Sequence, residues 1–261
     1  MGPVMPTAFD LSGRLAVVLG GTSGIGRAIS LGLAAAGADV IASGRRRAEV
    51  DATADAIQSV GRKTVRAVAD VTDTASLEAL LAEATRALGA IDILVNAAGK
   101  SKRTPTLEVT EREFTDILDT NLMGTLRACQ VFGRPMLERG RGRIINVASL
   151  TSFLAFHEVA AYAASKAAVV SLTQSLAVEW GPRGVNVNAI APGVFPTDLN
   201  RPLLDGTPRG RELIMRTPLR RFGNVDEVAG AAVYLASDAA TFVNGSVLTV
   251  DGGFLASGVN Q

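Results

Sequence analysis

Residues 14–26 read RLAVVLGGTSGIG, an apolar run that passes directly into a glycine-rich segment. The apolar part, Arg14–Leu19, is short and rich in leucine and valine, which predicts a buried β-strand. The glycine part has the spacing G-x-x-x-G-x-G and leads into a helical stretch, Gly24–Ala36. Glycines let the backbone turn tightly and approach a pyrophosphate, whose charge is favourable at a helix N-terminus. A strand, a glycine loop and a helix in this order predict a dinucleotide-binding unit.

The same alternation of short apolar runs and longer helical stretches continues along the chain. Six more strands are predicted, at Asp39–Ser43, Thr64–Val68, Ile91–Val95, Arg143–Val147, Val185–Ile190 and Ser246–Val250. Further helices are predicted at about Arg46–Val60, Ala75–Leu88, Glu111–Leu137, Val159–Trp180 and Asp226–Ala236. Strands that are apolar on both faces and separated by helices indicate a doubly wound parallel sheet, an α/β fold of Rossmann type. We expect one domain over residues 1–261 with about seven strands, and an irregular, mobile excursion over the site at about 197–222.

The bulk composition argues against several classes of protein. Lys plus Arg (26) nearly equals Asp plus Glu (25), which gives no attraction to nucleic acid or to an acidic membrane. The longest apolar stretches fall well short of the ~18 residues of a membrane span, and Met1–Asp10 lacks the pattern of a signal peptide. Cys129 is the only cysteine, which fits a reducing compartment, and no cluster of residues has metal-ligand spacing. We expect a cytoplasmic protein without a catalytic metal.

The end of the second predicted strand indicates which nicotinamide cofactor binds. An acidic residue there accepts a hydrogen bond from the ribose 2′-hydroxyl of NAD, whereas an arginine pairs with the 2′-phosphate of NADP. This strand ends in Ser43-Gly44-Arg45-Arg46-Arg47 without an acid, and Asp39 lies at its opposite end. The planar guanidinium suits a phosphate, so Arg45 is the first predicted contact and Arg46 the second. NADP is therefore expected rather than NAD. The alternative is that these arginines are simply solvated side chains at the start of the next helix.

A tyrosine and a lysine four residues apart indicate acid–base chemistry. In Tyr162-Ala163-Ala164-Ser165-Lys166 the phenol and the ammonium share one face of a predicted helix. A tyrosine pKa of ~10 is too high for catalysis near neutrality, and a neighbouring cation lowers it. Ser149 follows the strand Arg143–Val147, near the edge where α/β sheets bind ligands, and could orient a substrate carbonyl. The pair is common by chance, and Ser149 gives it weight.

Together these motifs resemble the short-chain dehydrogenase/reductase family, over about Leu11–Gly253. The resemblance is carried by the glycine loop Gly20–Gly26, Asp70, Asn96-Ala97-Ala98-Gly99, Asn121, Ser149, Tyr162-x-x-x-Lys166, Pro192-Gly193 and Val250-Asp251-Gly252-Gly253. Two positions depart from the family pattern: Leu19 replaces a usual threonine, and Ala97 replaces the second asparagine of Asn-Asn-Ala-Gly. Both concern packing between the first and fourth predicted strands and put local hydrogen bonds in doubt.

The resemblance implies a role for each of these residues. Tyr162 is implied to be the general acid/base, and Lys166 to lower its pKa and bind the nicotinamide ribose. Ser149 is implied to hold the substrate oxygen, and Asn121 to help hold a water that links Lys166 to solvent. The expected cofactor contacts, besides Tyr162, Lys166 and the two arginines, are Gly20, Thr22, Ser23, Gly24, Ile25, Gly26, Asp70, Val71, Asn96, Ala97, Gly99, Pro192, Gly193, Val194 and Thr197. A homotetramer is also implied, formed through the two long helices after the fourth and fifth strands and through the apolar C-terminal segment Phe254–Val259.

The segments around the site indicate a small carbonyl or alcohol substrate. The loop Lys100-Ser101-Lys102-Arg103-Thr104-Pro105 is basic, and Arg103 could hold a carboxylate, unless the loop is simply solvated. This loop, Thr197-Asp198-Leu199 and Gly252-Gly253-Phe254-Leu255 resemble the gluconate 5-dehydrogenase branch of the family, which interconverts sugar acids and their keto forms. His157, the only histidine, is either a substrate contact or an ordinary loop residue.

A keto sugar acid is therefore the expected substrate. Reduction of a 3-oxoacyl group on acyl carrier protein is the alternative, because basic surface could also attract that acidic carrier. A catalytically silent NADP-binding sensor is an alternative of another class.

Overall fold

The computed structural model describes residues 8–197 and 200–258, which form an α/β fold around one parallel sheet. Within these residues the sheet has six strands in the order β2-β1-β3-β4-β5-β6. The strands are β1 (Leu15–Leu19), β2 (Asp39–Ser43), β3 (Ile93–Asn96), β4 (Gly142–Val147), β5 (Val185–Pro192) and β6 (Val247–Val250). The predicted doubly wound sheet is confirmed. The strand order reverses between β1 and β3, and in such sheets ligands bind at the carboxyl ends beside this point.

The prediction of about seven strands is wrong by one, because the segment Thr64–Val68 forms no regular strand. It runs beside β2, where Lys63 accepts a hydrogen bond from the Val40 amide and Ala67 accepts one from the Ser43 hydroxyl. Only Val68 pairs, through an isolated bridge to Gly44. The segment therefore lies where an edge strand belongs but lacks the continuous ladder of hydrogen bonds that defines one.

The helices follow the predicted order, with two differences. They are α1 (Gly24–Ala35), α2 (Arg47–Ser59), α3 (Thr74–Leu88), α4 (Glu111–Leu118), α5 (Gly124–Arg139), α6 (Ala160–Trp180), α7 (Arg201–Leu204), α8 (Pro208–Arg216) and α9 (Asp226–Ala236). The predicted helix Glu111–Leu137 is divided by a π-helical turn at Asp119–Met123. The predicted irregular excursion at 197–222 contains α7 and α8, while Asp198 and Leu199 lie outside the described residues. No helix in the described part of the chain is long and apolar enough to cross a membrane.

The apolar core has two layers because successive strand residues point to opposite faces of the sheet. In β1, Leu15, Val17 and Leu19 pack with residues of α3, α5 and α6. Ala16 and Val18 pack on the other face with residues of α1 and α9. Both faces of β1 are thus fully buried, which holds the glycine loop at its carboxyl end in a fixed position.

Candidate active site

Two glycines of the loop between β1 and α1, Gly20 and Gly26, have no room for a side chain. A Cβ on Gly20 would lie 2.6 Å from the Ala98 Cα, and a Cβ on Gly26 would lie 2.1 Å from the Gly20 carbonyl oxygen. Gly20 and Gly24 also have φ angles of +73° and +49°, which glycine adopts at low cost. Ser23 does not cap α1 with its side chain, so the first-turn amides remain available to a ligand. This backbone cradle fits the pyrophosphate of a dinucleotide.

The two predicted 2′-phosphate contacts lie beside this cradle, at the carboxyl end of β2. The Arg45 side chain is 74% exposed and has only a loose ion pair, 3.9 Å from Nη1 to Asp70 Oδ2. Arg46 reaches back to the glycine loop, where its Nη2 lies 3.4 Å from Ser23 Oγ, and it also pairs with Glu49. Two exposed guanidinium groups side by side at the edge of the cradle fit a phosphate group.

Asp70 and Val71, two of the predicted cofactor contacts, lie between the end of the segment beside β2 and the start of α3. Asp70 Oδ1 accepts hydrogen bonds from the Thr72 amide at 2.9 Å and hydroxyl at 2.8 Å. Burial raises the pKa of Asp70, but these hydrogen bonds and the charge of Arg45 outweigh it, so that the pKa is lowered. Val71 packs against Gly124 at the start of α5, where a Cβ would lie 2.8 Å from the valine Cγ2. The carboxylate therefore stays charged and fixed at neutral pH.

Asn96, another predicted cofactor contact, has a buried side chain that bonds to residues of β4 and α5. Its Nδ2 donates to Asn146 Oδ1 at 2.8 Å and contacts the Cys129 sulfur, while its Oδ1 is buried without a partner. Burial raises the pKa of the Cys129 thiol to about 12, so this cysteine is a neutral packing residue. The Ala97 amide donates to the Leu19 carbonyl at 2.9 Å, so the two departures from the family pattern leave this backbone link intact.

The four residues predicted to act on substrate lie near one another at the carboxyl ends of β3 and β4. Lys166 Nζ lies 5.8 Å from the Tyr162 ring centroid, and Ser149 is near enough to the phenol to influence its pKa. A Cβ on Gly99 would lie 3.3 Å from Asn121 Oδ1 and 3.6 Å from Lys166 Nζ, which places all three residues together. Gly99 thus lies at the junction of these side chains.

The helix α6 is alanine-rich around Tyr162 and Lys166, and alanine is the strongest helix former. This rigid turn holds both side chains on one face. Asn121 belongs to the π-helical turn, a feature often found at functional sites. Its Nδ2 donates to the Lys100 carbonyl at 2.9 Å and to Ser165 Oγ at 3.0 Å, and its Oδ1 accepts from the Lys100 amide at 2.8 Å. Asn121 therefore ties the Lys100 loop to α6.

The electrostatics of the pair differ from the simple expectation that Lys166 lowers the pKa of Tyr162. Burial raises the pKa of Tyr162, and the hydrogen bond from Ser149 opposes this rise only in part. Burial also lowers the pKa of Lys166 to about 8. The ammonium donates to the Val147 carbonyl at 2.6 Å, so its nearest acceptor is the backbone rather than the phenol oxygen. A lysine held this way can exchange its proton near neutral pH.

The predicted substrate contacts Arg103 and His157 both lie against Glu158, which the sequence reasoning missed. Arg103 Nε is 2.6 Å from Glu158 Oε2, and His157 Nδ1 is 3.5 Å from Glu158 Oε1. The His157 side chain is 75% exposed, and Glu158 has a φ of +64° that is uncommon for a side-chain-bearing residue. In the same loop Lys102 pairs with Glu113. Two of the three basic side chains in the Lys100–Pro105 loop are therefore paired with acids, Glu113 and Glu158. These pairs could not be predicted, because both acids lie outside the loop in the sequence.

The segment after β5 lies over the glycine loop. A Cβ on Gly193 would lie 2.6 Å from the Asp251 Cα, so Pro192-Gly193-Val194 packs directly on the C-terminal turn. A Cβ on Gly24 would lie 3.1 Å from the Thr197 methyl group. Thr197 is thus next to the start of α1, where it was predicted to meet the cofactor.

A glycine cradle between β1 and α1, with serine, tyrosine and lysine at the same edge of a doubly wound sheet, defines a nicotinamide-dependent dehydrogenase. Residues 20–255 match the family described as Enoyl-(Acyl carrier protein) reductase. The chain therefore belongs to the short-chain dehydrogenase/reductase family, whose relatives found here act on alcohol groups.

Three relatives are similar over nearly the full chain. The gluconate 5-dehydrogenase of Gluconobacter oxydans is 40% identical over 97% of this chain and 98% of its own. The D-threitol dehydrogenase of Mycolicibacterium smegmatis is 42% identical over 94% of each chain. A gluconate 5-dehydrogenase from Burkholderia cenocepacia, solved in complex with NADP and tartrate, is 39% identical, covers 96% of this chain and 98% of its own, and superposes with a TM-score of 0.91.

Proposed function

We propose that this protein is an NADP(H)-dependent oxidoreductase that interconverts a secondary alcohol and a ketone on a sugar acid. The observation that carries the proposal is that Ser149, Tyr162 and Lys166 lie together at the edge of the sheet that also holds the glycine cradle, with Lys166 Nζ 5.8 Å from the Tyr162 ring centroid. NADP supplies or accepts the hydride when bound. Tyr162 gives its proton to the substrate oxygen during reduction and takes it back during oxidation. Ser149 orients that oxygen, and Lys166 stabilises the phenolate.

Lys166 is proposed to pass this proton on from Tyr162. Lys166, with a pKa lowered to about 8, can lose and regain a proton at working pH. Asn121 holds the Lys100 loop beside it, and we assign to Asn121 the positioning of the outer end of this relay. Arg103 and His157 are proposed to lie at the rim of the substrate site, held there by Glu158.

The cofactor assignment rests on the cradle and on the two exposed arginines. The glycine loop with Ile25, Thr22 and Ser23 is proposed to bind the pyrophosphate, and Arg45 with Arg46 the 2′-phosphate. The remaining proposed contacts are Asp70, Val71, Asn96, Ala97, Gly99, Pro192, Gly193, Val194 and Thr197. NADP in a solved relative that is 39% identical supports this choice over NAD.

The substitution Arg45→Asp should shift the preference from NADP toward NAD. It removes a charge-assisted contact with the 2′-phosphate and introduces an acceptor for the 2′-hydroxyl. We expect the ratio of kcat/KM for NADP over NAD to fall by about 10- to 100-fold, as for the loss of one such hydrogen bond. Arg47→Asp is the matched control, because Arg47 pairs with Asp51 on α2. An unchanged ratio in R45D, or an equal change in R47D, contradicts the assignment.

The substrate class is tested by a panel of reactions followed by NADPH absorbance. Relatives that act on gluconate favour a sugar acid, whereas the D-threitol dehydrogenase makes a neutral polyol the second candidate. We expect turnover of 5-ketogluconate in reduction and of gluconate in oxidation. Turnover of D-threitol without either sugar acid favours the polyol, and turnover of an acetoacetyl thioester alone favours the acyl carrier protein substrate.

A further inference from the structure

Two arginines lie near the loops that carry Ser149 and Tyr162, and their surroundings differ. Arg103 is engaged through its Nε by Glu158 at 2.6 Å, an acid whose side chain is 24% exposed. Glu158 also accepts a hydrogen bond from the Thr104 amide through its carbonyl, at 2.9 Å. The charge of Arg103 is thus balanced by Glu158, and these contacts tie the Lys100–Pro105 loop to the segment before α6.

Arg209, in the first turn of α8, contacts the same segment before α6. Its guanidinium carbon lies 5.7 Å from the ring centroid of Phe156, which is between Ser149 and Tyr162 in the chain. Phe156 in turn packs edge-on against Phe254, with 6.0 Å between ring centroids. A cation over an aromatic face at this distance is attracted to the ring.

The packing of α8 places this side of the helix against the segment that follows Ser149. Leu213 is four residues after Arg209 and therefore on the same helix face. It is buried in one apolar cluster with Leu150, Leu204 and Phe254. Because Leu150 directly follows Ser149, the Arg209 face of α8 packs on the loop that carries the proposed substrate-orienting hydroxyl.

Arg209 is the partly buried cation of this region that lacks an acidic partner among the described residues. The two acids of α7–α8 and the turn between them are engaged elsewhere: Asp205 lies 3.9 Å from Arg201, and Glu212 lies 3.0 Å from Arg216. Apart from its contact with Phe156, the guanidinium has no hydrogen bond or ion pair among the described residues, so its N–H groups are available to a ligand. The N–H edge of a guanidinium matches the two oxygens of a carboxylate.

We propose that Arg209 is the specificity-determining residue that binds the carboxylate of the substrate, so that the enzyme selects sugar acids over neutral polyols. This inference rests on the proposed function and deepens it. Arg103 then acts as a positioning residue, held by Glu158, rather than as the main anion contact. The carboxylate of such a substrate is remote from the reacting carbon, so its recognition affects binding more than the chemical step.

The test compares Arg209→Gln with Arg211→Gln, which removes the same charge from the same helix. Arg211 is exposed and donates to the Gly206 carbonyl at 3.0 Å. Both variants and the wild type are assayed in oxidation with gluconate and with D-threitol. For R209Q we expect the KM for gluconate to rise by about 10- to 100-fold, the loss of one charge-assisted contact, with kcat nearly unchanged. The kinetics of R209Q with D-threitol should stay as in the wild type, and so should those of R211Q with both substrates. The KM of Arg209→Lys for gluconate should lie between those of R209Q and the wild type.

The outcomes separate the two proposals. Suppose that the wild type oxidises gluconate. If R209Q then leaves the KM for gluconate unchanged, or raises the KM for gluconate and for D-threitol alike, the role of Arg209 is overturned and the proposed function is not. The latter result shows that Arg209 only packs on Phe156. A wild-type enzyme that oxidises D-threitol and no sugar acid overturns the proposed function and this assignment with it.

Discussion

The substitution Tyr162→Phe is expected to lower kcat by about 10²- to 10⁴-fold, the range typical of a lost general acid/base. Phenylalanine keeps the ring in its place on α6 and removes only the hydroxyl that contacts Ser149. The proton must then come from water, whereas the glycine cradle and Arg45 are untouched. NADP affinity, measured by the shift in the thermal unfolding midpoint on addition of the cofactor, should stay close to that of the wild type.

The chain offers a matched control, because Tyr234 is its only other tyrosine. Tyr234 lies on α9 and packs against Phe9, with ring centroids 6.3 Å apart, on the other face of the sheet from α6. Tyr234→Phe should retain the wild-type kcat. A loss of less than about tenfold in Y162F is below the range for an acid/base residue and contradicts the role of Tyr162. Wild-type protein that binds NADP but turns over no substrate favours the silent sensor instead.

The fold could be predicted from the sequence because its periodicity is strong. In β1 the run Leu15–Leu19 is apolar at every position. Such a run is typical of a strand that is covered on both faces. Thr64–Val68 misled the prediction because the same β-rich pattern also suits an extended edge segment. Whether such a segment forms a ladder depends on its alignment with β2, and that is a property of the fold rather than of local sequence.

In the candidate site, too, some residues could be placed from the sequence and others could not. Tyr162 and Lys166 could be placed together from helix geometry alone, and the glycine loop from its position between a strand and a helix. The ion pair between Arg103 and Glu158 joins residues that are far apart in the sequence, through a backbone turn with a φ of +64° at Glu158. Arg209 reaches Phe156 only because Leu213 anchors α8 in the apolar cluster beside Ser149. Contacts of this kind depend on loop geometry, which no spacing rule supplies.

The substitution Lys166→Met is expected to separate activity from stability. Methionine fills a similar volume but removes the ammonium that stabilises the Tyr162 phenolate, so kcat/KM should fall by at least about 10²-fold. The folded structure gives up no ion pair, because the ammonium is bonded to the Val147 carbonyl. Steady-state assays with 5-ketogluconate measure the first effect. A variant with wild-type kcat/KM contradicts the role of Lys166.

The stability effect follows from the pKa of the buried ammonium. Burial lowers the pKa of Lys166 to about 8, against about 10.4 for an exposed or unfolded lysine. Between these pH values the unfolded chain holds a proton that the folded protein has lost, so the free energy of unfolding rises with pH. At about 1.4 kcal/mol for each pH unit, this single group contributes a rise of about 3 kcal/mol between pH 8 and pH 10.4.

The Lys166→Met variant lacks this contribution. The free energy of unfolding of the wild type should therefore rise by about 3 kcal/mol relative to that of the variant between pH 7.5 and pH 10.5. Urea unfolding at both pH values measures the difference, and Lys63→Met, at an exposed lysine, should follow the wild type. Equal slopes in the wild type and K166M show that Lys166 has an ordinary pKa in the folded protein. The expected result means that at neutral pH the fold carries the cost of a buried cation, which is retained because Tyr162 needs it.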